Sequence, residues 1–333
     1  MEFLKGQYWV HSCTLSSPMT YQTWSMTMQS AISLHPEPAC EACGSTVCYV
    51  DDGTFSVGHT DPSILSQKLS DQYGVIADYM AANKLVINGD KTHLFVMGTK
   101  HTAAHRADVK LEAGPHTILP SSSEKLLGGQ ISQDLKWKKH ILEGEQSLVK
   151  QLTSRINGLS MLSARTSVKT RLMVANGIVV SKICYLIQLW GGCDNYLIRP
   201  LQVLQNRAAR LVTGCGWFTP KRKLLKMCNW LSIKQLVFYQ SVIMAHKIAT
   251  TSSPFSLAAK MSTTHPRRTR QATTGCIRFG ENFSANQGLI QKSFCHRATH
   301  QYNSIPASIR CVKSMPAFKS RLKKWIEANI PID

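Results

Sequence analysis

The sequence predicts an α+β fold in two parts, a hairpin with a helix and further strands first, and an all-helical region after it. Three observations carry this. The runs Ser45–Val50 and Thr54–Val57 have a hydrophobic period of two, and beyond residue 125 the period becomes about 3.6. Between these regimes, residues 99–125 hold Gly114, Pro115, Pro120 and Ser121-Ser122-Ser123, which read as a loop-and-hairpin connection. Charge divides in the same sense: residues 1–100 hold five Lys/Arg and nine Asp/Glu, a net of −4, whereas residues 101–333 hold 34 and 10, a net of +24.

A chain of 333 residues has room for about two domains with their own cores, and a hydrophobic fraction of 43% is that of a globular class, not a disordered one. The eleven cysteines come without a basic-then-apolar leader, so reduced thiols in an intracellular compartment are expected. Leu172 to Trp190 is the most apolar run, but it contains Asn176, Lys182 and Gln188. A buried helix is the expectation there, with no membrane partner.

In chain order, Met19 to Leu34 keeps helical spacing through Trp24, Met28 and Ile32. The segment from His35 to Gly44 follows, in which His35, Cys40 and Cys43, with Cys48 as a fourth, could ligate zinc. Because Cys48 falls on a predicted strand, a metal-free loop is the better reading. The His-x-Glu and Cys-x-x-Cys pieces also lie too close together for a zinc deaminase, which needs a helix-and-strand unit between them.

Asp51, Asp52 and Gly53 come next, at a tight turn between the two predicted strands. Adjacent carboxylates repel unless a cation binds or one is protonated, and two-metal phosphoryl transfer exploits such a pair. On these residues alone, a solvated Asp-Asp-Gly turn is the plainer reading. Asp61-Pro62 then gives an N-cap with proline at the first helical position, and Ile64, Leu65, Leu69, Tyr73, Ile76 and Met80 follow helical spacing up to Asn83. Lys84–Ile87 reads as a strand, Asn88–Thr92 as a turn and His93–Gly98 as another strand.

Helices are predicted over Lys138–Leu162, Ser167–Trp190, Ile198–Val212 and Ser232–Thr250. Ser232 and Gln235 make a capping box, Gly214 a stop, and Pro200 falls in a first turn. Lys150, Arg155, Arg165, Lys169, Arg171, Lys182, Arg207 and Arg210 put positive charge on these helices, suited either to a phosphate backbone or to plain solvation. Trp217 and Trp230 read as core. Residues 251–290, with the Arg267-Arg268-Thr269-Arg270 run, read as a basic linker able to order on nucleic acid. In the last unit Phe318, Leu322, Trp325 and Ile326 share one face opposite Lys319, Arg321, Lys323 and Lys324. Cys276, Cys295, His296 and His300 are spaced too irregularly to suggest a zinc site.

Taken in order, these segments resemble the reverse transcriptases of non-LTR (LINE-type) retrotransposons. Tyr49-Val50-Asp51-Asp52 looks like motif C, Lys84 to Gly98 like motif D, and Leu127–Ser132 with Trp137 and His140-Ile141 like motif E. Leu201–Val212 looks like the thumb signature, and the Phe294-to-Leu322 region like the tail behind it. Leu15–Tyr21 resembles the end of motif B, although Val10-His11-Ser12 stands where the family has Pro-Gln-Gly.

The resemblance implies a partial polymerase palm over 1–100, a connection with the motif E hairpin over 101–141, a helical thumb over 142–250, a basic linker over 251–290 and a helical tail over 291–333. It further implies an RNA-directed DNA polymerase using two Mg²⁺, with Asp51 and Asp52 at the metals, Lys91 aiding pyrophosphate departure, and Tyr49, Ser17 and Pro18 bordering the nucleotide pocket. RNA template, DNA primer and deoxynucleotides would be its partners, and nucleus or cytoplasm its compartment. The family's motif A aspartate and fingers are expected to be missing, which would leave a truncated, inactive fragment. A non-catalytic nucleic-acid-binding fragment and a degenerate relic are the alternatives.

Overall fold

The computed structural model describes residues 7–13, 45–49, 52–59, 61–97, 104–114, 116–163, 165–262, 276–279 and 291–332. The fold is mixed α and β, with two compact units, Met1–Lys139 and His140–Asp333. Among the described residues no helix is long and apolar enough to cross a membrane.

The first unit is built on a five-stranded sheet in the order β2-β3-β1-β4-β7. Its strands are β1 (Gln7–Cys13), β2 (Ser45–Tyr49), β3 (Asp52–Gly58), β4 (His93–Phe95) and the two-residue β7 (Pro120–Ser121). The central strand is β1, antiparallel to β3 on one side and to β4 on the other. Sequence pattern did not single it out, although Tyr8, Trp9 and Val10 are good strand formers.

Helix α1 (Pro62–Ala82) starts where expected, because the Asp61 carboxylate accepts from Ser63 N (2.8 Å), Ser63 Oγ (2.6 Å) and Ile64 N (3.4 Å). It buries Leu65, Leu69, Ile76 and Met80 against Phe55 and Val57 of β3 and Leu94, Val96, Val109 and Leu111. Ile64, expected on this face, is instead exposed. Ser66 and Ser70 of α1 accept the backbone N–H of Lys110 and Glu112 at 3.1 Å, which satisfies donors beside and within the short strand β5 (Leu111–Ala113).

The strand expected at Lys84–Ile87 is absent. Lys84 takes a left-handed conformation (φ 58°), Lys84 N donates to Ala81 O and Leu85 N donates to Met80 O, both at 2.9 Å. This closing motif uses the N–H that a strand would have offered. The two-residue alternation survives, with Leu85 and Ile87 against the core and Val86 76% exposed. Further on, β5 pairs with β6 (His116–Ile118), and β8 (Ser123–Leu126) pairs with β9 (Gly129–Ser132) across Leu127 (φ 45°) and Gly128 (φ 80°), a two-residue hairpin turn of the type that needs both angles positive.

Among its described residues the second unit is helical apart from one two-residue strand pair, Met261–Ser262 with Arg278–Phe279. Its main helices are α2 (Leu148–Ser163), α3 (Val168–Ala175), α4 (Asn195–Thr213), α5 (Lys221–Met227), α6 (Ile233–Thr251), α7 (Phe294–Ser304) and α8 (Met315–Asn329). The helix expected over Lys138–Leu162 is divided into a π-turn at Lys139–Glu143 and α2. That expected over Ser167–Trp190 continues α3 through a π-turn, Asn176–Val180, and then breaks at Leu186 (φ 55°). At the break the Trp190 indole donates to the Tyr185 carbonyl five residues earlier (3.0 Å), with no glycine or proline to mark the place. Helix α4 begins at Asn195, so Pro200 sits in its second turn and the bond from position 200 to the Tyr196 carbonyl is not made. Gly214 ends α4 as expected, in a left-handed conformation with φ 72°.

Helix α6 has the predicted capping box: Gln235 N donates to Ser232 Oγ (3.4 Å) and Ser232 N to Gln235 Oε1 (3.0 Å). The same Gln235 side chain donates through Nε2 to the Ile330 carbonyl, 2.7 Å away and 95 residues later. Phe318, Leu322 and Ile326 of α8 are fully buried, and Phe318 stacks on His246 of α6 at 3.6 Å between ring centroids. Trp325 is half-buried beside Phe238. Part of the expected linker is docked: Asn303 receives Ile277 N (3.0 Å) and donates to Ile277 O (2.9 Å), with Cys276 and Ile277 buried.

Candidate functional site

Two places carry the chemistry anticipated from sequence, the tip of the β2–β3 hairpin and the cationic helices of the second unit. At the hairpin, Tyr49 pairs with Asp52 and Cys48 with Gly53. Asp52 and Gly53 are therefore strand residues, not turn residues as expected, with Val50 and Asp51 between the strands. Asp51, and the side chains of Tyr49, Cys48 and Asp52, lie outside the described residues, as do Ser17, Pro18, His35, Cys40 and Cys43.

The register fixes what surrounds Asp52. His11 of β1 lies opposite Thr54 of β3 on one edge and opposite His93 of β4 on the other. Since β3 and β4 both run antiparallel to β1, they start at the same end of the sheet. Asp52 lies two positions before Thr54 and Lys91 two before His93, so both belong to that end, on strand starts separated by β1 and hence about 10 Å apart at the usual strand spacing. Lys91 closes the 3-10 turn Gly89–Lys91, where its N–H donates to Asn88 O (3.2 Å), and its side chain is exposed. The turn lies beside β1 and is held by buried Thr92, whose hydroxyl donates to Asn88 O at 2.9 Å. Strand β1 itself, Gln-Tyr-Trp-Val-His-Ser-Cys, carries no carboxylate. Among the described residues no group of three or more His, Cys, Asp or Glu side chains could hold a metal ion, Cys276, Cys295, His296 and His300 included.

In the second unit the predicted cations come from α2, α3 and α4, which pack on one another pairwise, from the loop between α2 and α3, and, for Lys182, from the short helix Ser181–Cys184. Lys150, Arg165, Lys169 and Arg207 are exposed. Others are drawn into the fold. Arg155 Nη1 donates to Ile178 O (2.9 Å), bracing α2 on the π-turn, and Arg171 is half-buried. Arg207, though exposed, donates to Asn157 Oδ1 (2.9 Å) and so ties α4 to α2. Lys182 lies 5.5 Å from the Tyr185 ring centroid and Arg210 4.9 Å from that of Trp217. His140, in the π-turn at the start of the unit, has its pKa pushed down to about 4 by burial and then by the charge of Lys182, so it is neutral near pH 7.

One expectation here is reversed. Trp230 is core, 8% exposed, with its indole donating to Asn176 Oδ1 (2.7 Å), but Trp217 is 73% exposed and Phe218 97%. Both aromatic types look alike in composition, and only the flanking Gly214, Gly216 and Pro220 mark the second place as a turn. The same reading missed α5, whose Lys221-Arg222-Lys223 run and Lys226 add to the cationic surface.

Against known proteins, the chain is 32% identical over 98 residues, 29% of its length, to a Drosophila melanogaster protein described as "Probable RNA-directed DNA polymerase from transposon X-element". The match spans 11% of that protein's length. No family model matches the chain, and no solved structure matches it. Close to a third of the chain thus resembles a small part of a transposon's RNA-directed DNA polymerase.

Proposed function

We propose that this chain carries the carboxylate hairpin, the motif D turn and the thumb of a LINE-type reverse transcriptase, in which two Mg²⁺ ions drive nucleotidyl transfer. The observation that carries the reading is the shared end of the sheet: Asp52 begins β3, Lys91 precedes β4, and both flank the same end of β1. Asp51 and Asp52 would hold the metals, which supply the activated 3′-oxygen and stabilise the departing pyrophosphate. Lys91 would offset charge on that pyrophosphate, Tyr49 with Ser17 and Pro18 would border the nucleotide, and the cationic helices would follow the template–primer duplex by its phosphates. The similarity of 98 residues to part of a transposon polymerase supports a reverse-transcriptase-like region in the chain.

A second reading, a nucleic-acid-binding fragment without catalysis, is favoured by one observation. The strand beside the hairpin brings His11 and Cys13 next to Thr54 and Gly53, and no acid. Two carboxylates leave Mg²⁺ short of fixed oxygen ligands.

Primer extension on a primed RNA template with Mg²⁺, beside an Asp51→Ala control and a binding titration at two salt concentrations, separates these readings. The expected result for the isolated chain is binding that falls steeply with salt and no extension. Extension abolished by Asp51→Ala would make the hairpin a working site in this chain alone, and the absence of both binding and extension would sink both readings.

A further inference from the structure

We infer that the turn at Trp217-Phe218 is a stacking platform for unpaired bases, through which the helical unit holds single-stranded nucleic acid. The inference rests on the reading that this unit binds nucleic acid. Thr219 N donates to Gly216 O (3.1 Å), which closes a β-turn with Trp217 and Phe218 at its two central positions. Before the turn, Gly214 N donates to Arg210 O (2.8 Å) and Cys215 Sγ lies 3.8 Å from Met227 Sδ of α5; after it, Lys223 N donates to Pro220 O (3.0 Å) at the start of α5. Two large adjacent rings are therefore held out in water, 73% and 97% exposed, by a rigid support.

Single exposed apolar side chains are ordinary, but a paired, presented set needs a ligand. The surroundings say which kind. From Asn195 to Gly280 the sequence has fourteen Lys/Arg and no Asp or Glu. Arg210 covers one face of the Trp217 ring at 4.9 Å and fixes its orientation. Arg222 and Lys223 follow the turn directly and are exposed. A flat ring oriented by an arginine and bordered by cations matches what an unpaired nucleotide offers, a π-face joined to a phosphate. A second copy of the chain would bring like charge against like. A lipid surface would accept the aromatic and basic residues but has no use for a ring held in one orientation.

The test uses the full chain with a labelled oligothymidylate of about 15 nucleotides, a duplex of the same length, and vesicles of phosphatidylcholine with phosphatidylserine. Trp217→Ala, Phe218→Ala and Trp217→Phe are compared with the parent protein, with circular dichroism as the folding check. Each alanine variant is expected to weaken single-strand binding roughly 5- to 100-fold and duplex binding by no more than about twofold, while Trp217→Phe keeps most of the affinity. Unchanged single-strand binding in both alanine variants, an equal loss on duplex, or a loss confined to vesicles would each overturn the platform. If the parent protein binds neither nucleic acid, the reading of the whole unit fails with it. If it binds both and the variants are unaffected, only the platform fails.

Discussion

Residues 1–139 carry eleven Lys/Arg against thirteen Asp/Glu, whereas residues 140–333 carry 28 against six. The contrast extends to how each unit is held. In the first, a helix lies on a sheet over one apolar cluster, and the proposed site depends on which strand ends meet. In the second, acidic partners are few, and the connections between helices run through neutral amides as well as through cations that donate to neutral oxygens, such as Arg155 to Ile178 O and Arg207 to Asn157 Oδ1. Gln205 donates to Leu231 O (2.9 Å), Gln202 accepts from Ile233 N (2.9 Å), Asn176 accepts from Trp230, Gln235 reaches Ile330 and Asn303 clasps Ile277.

The largest effect expected from breaking this arrangement is in the packing of the second unit. Phe318→Ala removes a fully buried ring stacked on His246, and a loss of about 3–5 kcal/mol is expected in urea unfolding followed by far-ultraviolet circular dichroism, where this unit's helices dominate. A loss under 1 kcal/mol would mean that α8 is not part of the same core.

Acid should come next. His140 titrates near 4 in the folded chain against 6.5 in the unfolded one, because burial and Lys182 disfavour its charged form. As pH falls through 6.5 the unfolded chain takes up a proton that the folded chain refuses. Stability is therefore complete above about pH 7 and declines between about 6.5 and 4, by on the order of 2–3 kcal/mol. His246, lowered by its own burial, acts in the same direction. Urea midpoints measured from pH 7.5 to 4.5 should fall along this course and fall less in His140→Gln; an equal slope in the variant would remove His140 from the account.

The smallest effect separates amide from ion pair. Gln205→Leu leaves the Leu231 carbonyl without its donor in the interior and should cost about 1–3 kcal/mol. Glu327→Gln, which breaks a long surface pair with Lys323 (3.9 Å), should change stability by less than about 0.5 kcal/mol. Equal costs would contradict the division between the two kinds of tie.

What could be seen in the sequence follows the same line. Helix α1 was legible from end to end because Asp61, Pro62 and Asn83 act within a few residues of themselves, and so did the Ser232–Gln235 box and the Gly214 stop. The hairpin was legible as an element, but its register was not: placing Asp52 on a strand opposite Tyr49 depends on pairing, which the Asp-Asp-Gly tripeptide leaves open. Strand β1 was missed because its partners, β3 and β4, lie some 45 and 80 residues away in sequence, and its strand-forming residues have no alternating neighbour close by to mark them as a strand. The break at Leu186 was invisible for a related reason, since no glycine or proline marks it. At Lys84–Ile87 the alternation was real, but the helix end had already taken the backbone donor. Trp217 and Trp230 show the limit of composition, because the residue type is the same and only the flanking Gly214, Gly216 and Pro220 hint that Trp217 lies on a turn.

The Gln235 side chain has one more consequence, for the order in which the protein is made. Its amide joins the start of α6 to a carbonyl 95 residues later. At synthesis rates of about 5–20 residues per second, that partner arrives roughly 5–20 s after Gln235 itself. Until then α6 has one half of its tether, and the surface later covered by Phe318, Leu322 and Ile326 stays open to water. The nascent second unit is thus a late-closing body, exposed to chaperones and proteases for as long as its final helix is still being translated.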